Sequence, residues 1–239
     1  MSHIRYAIDH GADSMQFDDP EMNSGSINWK GDTAESDDPQ TFGCFCTYCV
    51  TGFRQYLLNN FTTSYLNSIG ISDPSTFNYK QYLLDGYRST AIRSHYEDFQ
   101  KQADVDFFVN LRNSASSYAS YYFPFSCNNG SFTKWSSPYN LFDFAIGELS
   151  NYDPPTPSSL RTKALNARSI GKSQVFTARY RDVPTNRRLI AYCYGLGIHL
   201  VAPWDVWMDD GPRYYGDPAD YNDLYGLVHY HPELFAGYE

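Results

Sequence analysis

Basic side chains are scarce in this chain: 18 Lys and Arg stand against 27 Asp and Glu, giving a net charge of −9 and a pI near 5.0. Binding nucleic acid needs a basic stripe that displaces counterions from phosphates, and none is present, so nucleic acid is excluded as a partner. Long apolar runs are missing too. No stretch approaches the roughly 18 residues that cross a bilayer, which excludes a membrane-spanning role. Met1-Ser2-His3-Ile4-Arg5 does not lead into the apolar segment of a signal peptide; localisation stays open, since a start further upstream would allow export. The chain also lacks a glycine-rich phosphate cradle and a Walker-type lysine. Its five cysteines are an odd number and do not form the even, spaced set of a disulfide framework.

Aromatic residues, by contrast, are abundant: 22 Tyr, 16 Phe and 4 Trp make up 18% of the chain. They offer either flat faces with polar tips for stacking sugar rings or a tyrosine-rich surface. With 42% hydrophobic residues over 239 positions, one sizeable core in a single domain is expected. Three of the cysteines fall within six residues, as Cys44-Phe45-Cys46-Thr47-Tyr48-Cys49, a spacing suited to metal ligation. Cys127 and Cys193 sit alone among apolar and aromatic neighbours and read as buried small hydrophobes.

Along the chain, residues 4–11 read as a helix ended by glycine and residues 13–17 as a strand running into Asp18-Asp19-Pro20. Residues 21–41 are polar and read as a long surface loop. Val50 to Asn59 has helical spacing, and Tyr87 to Tyr118 reads as a long amphipathic helix with Phe99, Ala103, Phe107, Leu111, Ala115 and Tyr118 on its core face. Strands over 121–127, 141–146, 174–178 and 198–202 then alternate with helices over 158–170 and 187–194. Strand–helix alternation of this kind predicts an α/β fold with a parallel sheet of about five strands and crossover helices. An eight-stranded barrel usually takes about 250 residues. We therefore expect residues 1–239 to form a single, partial (β/α)-barrel, TIM-like, with the loop and cysteine cluster inserted at about 20–60. A small complete α/β domain with an open sheet is the alternative. Open sheet edges favour homo-oligomer formation.

Parallel α/β folds collect their functional groups at the carboxyl ends of strands, and here those ends are acidic. Asp18 and Asp19 follow the first strand, Glu148 the third, and Asp205 the last. Glycosidic hydrolysis needs two carboxyl groups flanking the bond, so these four are candidate catalytic residues. Trp204 and Trp207 flank Asp205 as a sugar subsite would, and Asn128 and Asn129 close the second strand. Arg179, with Arg181, Arg187 and Arg188, could bind hydroxyls or hold the carboxylates ionised.

Cys44-x-Cys46-x-x-Cys49, followed by Gly52-Phe53-Arg54-Gln55-Tyr56-Leu57, resembles the cysteine segment of the family 42 β-galactosidases and related clan A barrel glycoside hydrolases. In that family the segment lies shortly after the fourth strand, whose terminal Asn-Glu pair carries the general acid/base; Asp18-Asp19 stands at the matching place. The family's nucleophile ends the seventh strand, where Gln174 to Arg181 holds no glutamate, so Glu148 or, next, Asp205 takes that part in our reading. The resemblance implies a glycoside hydrolase acting on a galactoside-like or other oligo- or polysaccharide, with no cofactor for catalysis. It also implies a structural zinc on Cys44, Cys46 and Cys49, completed by Cys127, a histidine or water in place of the family's fourth cysteine. Two other readings remain: a non-catalytic carbohydrate-binding remnant of a barrel, and a metal-stabilised structural module.

Overall fold

The computed structural model describes residues 1–18, 20–21, 44–129, 135, 137–149, 155–177, 182–200 and 218–234. It divides into two compact units: Ser2–Asp18 with Tyr121–Glu239, and Asp19–Ser120 together with Met1. The insertion expected over 20–60 is thus part of a longer unit.

The first unit is built on a five-stranded sheet. Its strands are β1 (Met15–Phe17), β2 (Phe125–Asn128), β3 (Phe144–Glu148), β4 (Ser173–Thr177) and β5 (His199–Leu200), and they lie in the order of the sequence. Every neighbouring pair is parallel. Helix α1 (Ser2–Asp9) precedes β1, α6 (Pro157–Arg168) joins β3 to β4, and α7 (Val183–Gly195) joins β4 to β5. Both crossover helices start where side chains can cap them: Thr156 accepts from the Ser159 N–H at 3.2 Å and Asp182 from the Thr185 N–H at 2.8 Å. Prolines in their first turns lose no intrahelical bond there. Both end beside a glycine in the left-handed region, Gly171 at φ 69° and Gly197 at φ 64°, which turns the chain into the next strand.

Leu160 and Ala164 of α6 and Leu189 and Cys193 of α7 pack in one cluster with Phe176 of β4 and Ile198. Both helices therefore cover the same face of the sheet, the one that also carries buried Phe125, Cys127 and Ala145. Strands in sequence order with both crossovers on one side make a singly wound sheet, unlike doubly wound folds whose strand order reverses. Strand alternation turns Gln16, Ser126, Asn128, Phe144, Ile146, Glu148, Ser173, Val175, Thr177 and His199 to the opposite face. Apart from Ser126, these are half-buried or exposed. Among the described residues β1 and β5 each pair on one side only. The expectation of about five parallel strands with crossover helices is met, as an α/β sheet.

Beyond β5, α8 (Asn222–Tyr230) docks on α7. Arg187 grips the Asp223 carboxylate with two bonds, of 2.7 and 2.5 Å, and Tyr221 packs on Ile190.

The second unit is helical: α2 (Thr47–Asn60), α3 (Thr63–Ser68), α4 (Tyr79–Leu84) and the 30-residue α5 (Thr90–Ala119). Thr62, Asn78 and Ser89 cap α3, α4 and α5. Its core is Phe53, Leu57, Leu66, Ile71, Tyr79, Leu83, Ile92 and Tyr96, ringed by half-buried aromatics. Phe53 meets Tyr96 edge to face at 4.9 Å, and Tyr79 meets Tyr96 at 4.6 Å. Many of the chain's aromatics therefore pack a core instead of facing sugars. The long helix lies close to its expected span but centres on a shifted stripe, Ile92, Tyr96, Gln100, Asp104 and Phe108; of the expected face Ala115 is fully buried and Phe99 and Leu111 are half-buried, Phe99 packing on the core. Phe107 and Tyr118 are exposed. No helix among the described residues is long and apolar enough to cross a membrane.

Candidate functional site

Parallel pairing brings the carboxyl ends of β1, β2 and β3 to one edge of the sheet. Phe17 is level with Cys127, so Asp18 is level with Asn128; Asn128 pairs with Ile146, and Glu148 follows two residues later on the same face. Asn128 Nδ2 donates to Asp18 Oδ1 at 2.9 Å, which orients the carboxylate. Asn128 Oδ1 is buried and accepts no hydrogen bond. Glu148 is exposed, and it stands two strands from Asp18 and two residues further along, roughly 12 Å between backbones from the usual strand spacing and rise. Side chains leaning toward each other across that gap can reach the separations of roughly 5 to 9.5 Å at which carboxyl pairs hydrolyse glycosides. His199 of β5 shares this face and is exposed. It escaped the sequence reading, although its place between Ile198 and Leu200 is the alternation that turns a strand residue away from the core.

Asn129, expected to bind substrate, is corrected: it is fully buried. Its Nδ2 donates to Gln174 Oε1 at 3.0 Å, and Gln174 Nε2 donates back to Asn129 Oδ1 at 3.1 Å and to the Ala145 carbonyl at 3.2 Å. The pair spans from β2 to β4 across β3, whose Ala145 and Gly147 leave room above the backbone. Asn129 is a satisfied core amide, withdrawn from ligands. Asp19, Arg179, Trp204, Asp205 and Trp207 lie outside the described residues.

The cysteine segment gathers as its spacing predicts. The Sγ atoms of Cys44, Cys46 and Cys49 lie within 4.8 Å of one another and, among the described residues, form a group that could hold a metal ion. Cys46 is the N-cap of α2 and Cys49 lies in its first turn. Helix geometry thus folds the Cys-x-x-Cys pair back on itself, with the helix N-terminus favouring negative sulfur. The Cys49 backbone N–H faces Cys46, outside the geometry of a neutral cap bond, and with the Cys44 thiol it brings the exposed Cys46 down to about 7. Burial pushes Cys49 up to about 12. A tetrahedral zinc with sulfur at about 2.3 Å sets its ligands about 3.8 Å apart, so the thiols need close by no more than about 1 Å. Cys127 and Cys193 are buried, as expected, and burial pushes each up to about 12. Among the described residues the group that gathers is Cys44, Cys46 and Cys49, and Cys127 is not part of it.

No known protein family, curated protein or solved structure matches this chain. Its chemistry therefore stands on two constellations, the acidic carboxyl edge and the thiol cluster.

Proposed function

We propose that the chain is a glycoside hydrolase of barrel type, cleaving an oligo- or polysaccharide, galactoside-like in its sugar, with a pair of carboxylates. The observation that carries this reading is the placement of Asp18, Asn128 and Glu148 on one open face at the carboxyl ends of consecutive strands. In this reading Asp18 or its neighbour Asp19 protonates the leaving oxygen, and Glu148 attacks or activates water. Asn128 holds Asp18 in direction. The singly wound order supports a barrel whose uncovered face would be its interior; partner copies joining at the β1 and β5 edges would complete it. The resemblance of the cysteine segment to family 42 β-galactosidases adds to this, and the thiol cluster would hold a structural zinc.

The test is turnover on a panel of aryl glycosides and oligosaccharides. Glu148→Gln should lower hydrolysis by about a hundredfold or more with an unchanged circular dichroism spectrum. An unaltered rate removes Glu148 from the reaction. Saturable oligosaccharide binding without turnover by the unaltered chain would instead establish the carbohydrate-binding reading.

A further inference from the structure

Gln100 sits in the first half of α5 on the buried stripe between Tyr96 and Asp104, only 1% exposed. Its carboxamide lies beside the Cys49 thiol and the Tyr96 hydroxyl. Yet its Nε2 is buried without a hydrogen bond of ordinary geometry. An unpaired amide donor in a core costs about 1–3 kcal/mol, whereas a leucine or methionine would fill such a place at no polar cost. What the donor faces explains the choice. A neutral thiol is a weak acceptor, but a metal-bound thiolate is charged, and an N–H aimed at it forms a charge-assisted bond. Three thiolates on a divalent ion leave net negative charge, which such a donor offsets.

The surroundings suit this arrangement. Phe45 lies against Tyr96 with ring centroids 5.8 Å apart, so the wall behind the sulfurs is aromatic. The Tyr96 hydroxyl donates to the Cys44 carbonyl, tying the ligand segment to the helix that carries Gln100. One turn of α5 thus presents both groups to the cluster.

We propose that Gln100 is a positioning residue of the metal site, donating from Nε2 to Sγ of Cys49 when Cys44, Cys46 and Cys49 hold a divalent ion. This rests on the metal-binding reading of the cluster and goes beyond it by assigning the group that makes the pocket selective for thiolate. The residue touches no metal; it orients a ligand and withdraws charge from it.

The experiment is competition of the whole chain against a chromophoric chelator for Zn(II), and Co(II) titration followed by its thiolate charge-transfer band. Gln100→Ala and Gln100→Met should both bind about tenfold to a hundredfold more weakly, with the Co(II) band moved to lower energy because the sulfur is more electron-rich. Methionine restores volume without a donor, so a residue that only packs would give Gln100→Met the affinity and band of the unaltered protein. That result overturns the proposal. If neither variant folds, the unaltered chain loaded with an NMR-active cadmium isotope decides: scalar coupling between the Gln100 amide protons and the metal is expected, and its absence overturns the assignment. Failure of the unaltered chain to take up Zn(II) or Co(II) withdraws the metal site itself, a result separate from any variant.

Discussion

Iodoacetamide offered to the folded, metal-free chain should find Cys46 first. Cys46 is exposed and held at about 7, so a large fraction is thiolate at neutral pH, while Cys127 and Cys193 are buried and pushed up to about 12. Mass spectrometry of the modified peptides checks this: early label on Cys127 or Cys193 would contradict their burial. Metal uptake should be pH-dependent for a related reason. Cys49, at about 12, must give up its proton to become a ligand, so the apparent affinity for Zn(II) should rise by at least about tenfold per pH unit near pH 7. A titration at three pH values reads the slope. Asp223 supplies an acid-side test. Arg187 beside it brings the carboxyl down to about 2. The folded value lies below the unfolded one, so the pair's contribution is complete above roughly pH 4 and is lost as pH falls through about 2. The ion-pair part of any stability difference between Asp223→Asn and the parent at pH 7 should therefore shrink as pH falls from about 4 through about 2 in urea unfolding; the pair is exposed, and the difference should be small.

At the scale of elements, the helical unit depends on how α2 meets α5. Phe53 is 1% exposed, and it packs against Tyr96, Phe99 and Tyr79 at 4.9, 5.7 and 5.8 Å. Phe53→Ala should cost about 3–5 kcal/mol, measured by chemical unfolding followed at an amide in α5. The existence of the strands was readable, and each of the five observed strands overlaps an expected one; helix starts were less so, since the helix expected from Arg187 begins at Val183, where Asp182 caps it. The buried face of α5 was not readable. Phe107 and Tyr118 continue the apolar stripe of Phe99 as convincingly as Ile92, Tyr96 and Phe108 do theirs, yet both are exposed, and the real stripe includes Gln100 and Asp104. Polar residues are buried only where a partner element supplies their setting, which local periodicity does not encode. The short helices α3 and α4 also escaped notice, since six residues carry little more than one period of signal.

For the whole molecule, the two units should respond differently to loss of metal. Stripping Zn(II) with a chelator should speed amide hydrogen exchange in α2 and the first half of α5, leaving β2, β3 and β4 protected as before. Equal loosening of both units would show that the thiol cluster stabilises more than its own surroundings, and no change in either would count against a structural metal.

Apolar strands alternating with helices were enough, as sequence, to dictate a parallel α/β sheet, because periodicity is a local property. The gathering of Cys44, Cys46 and Cys49 was likewise determined locally, by six residues leading into one helix turn. Register decided the rest. Only pairing of β1 with β2 brings Asn128 to Asp18, and only the order and register of β2, β3 and β4 set Asn129 against Gln174, away from the surface. Gln100 lies beside Cys49 across 51 residues of chain, a proximity set by helix packing and by nothing in its neighbours along the sequence.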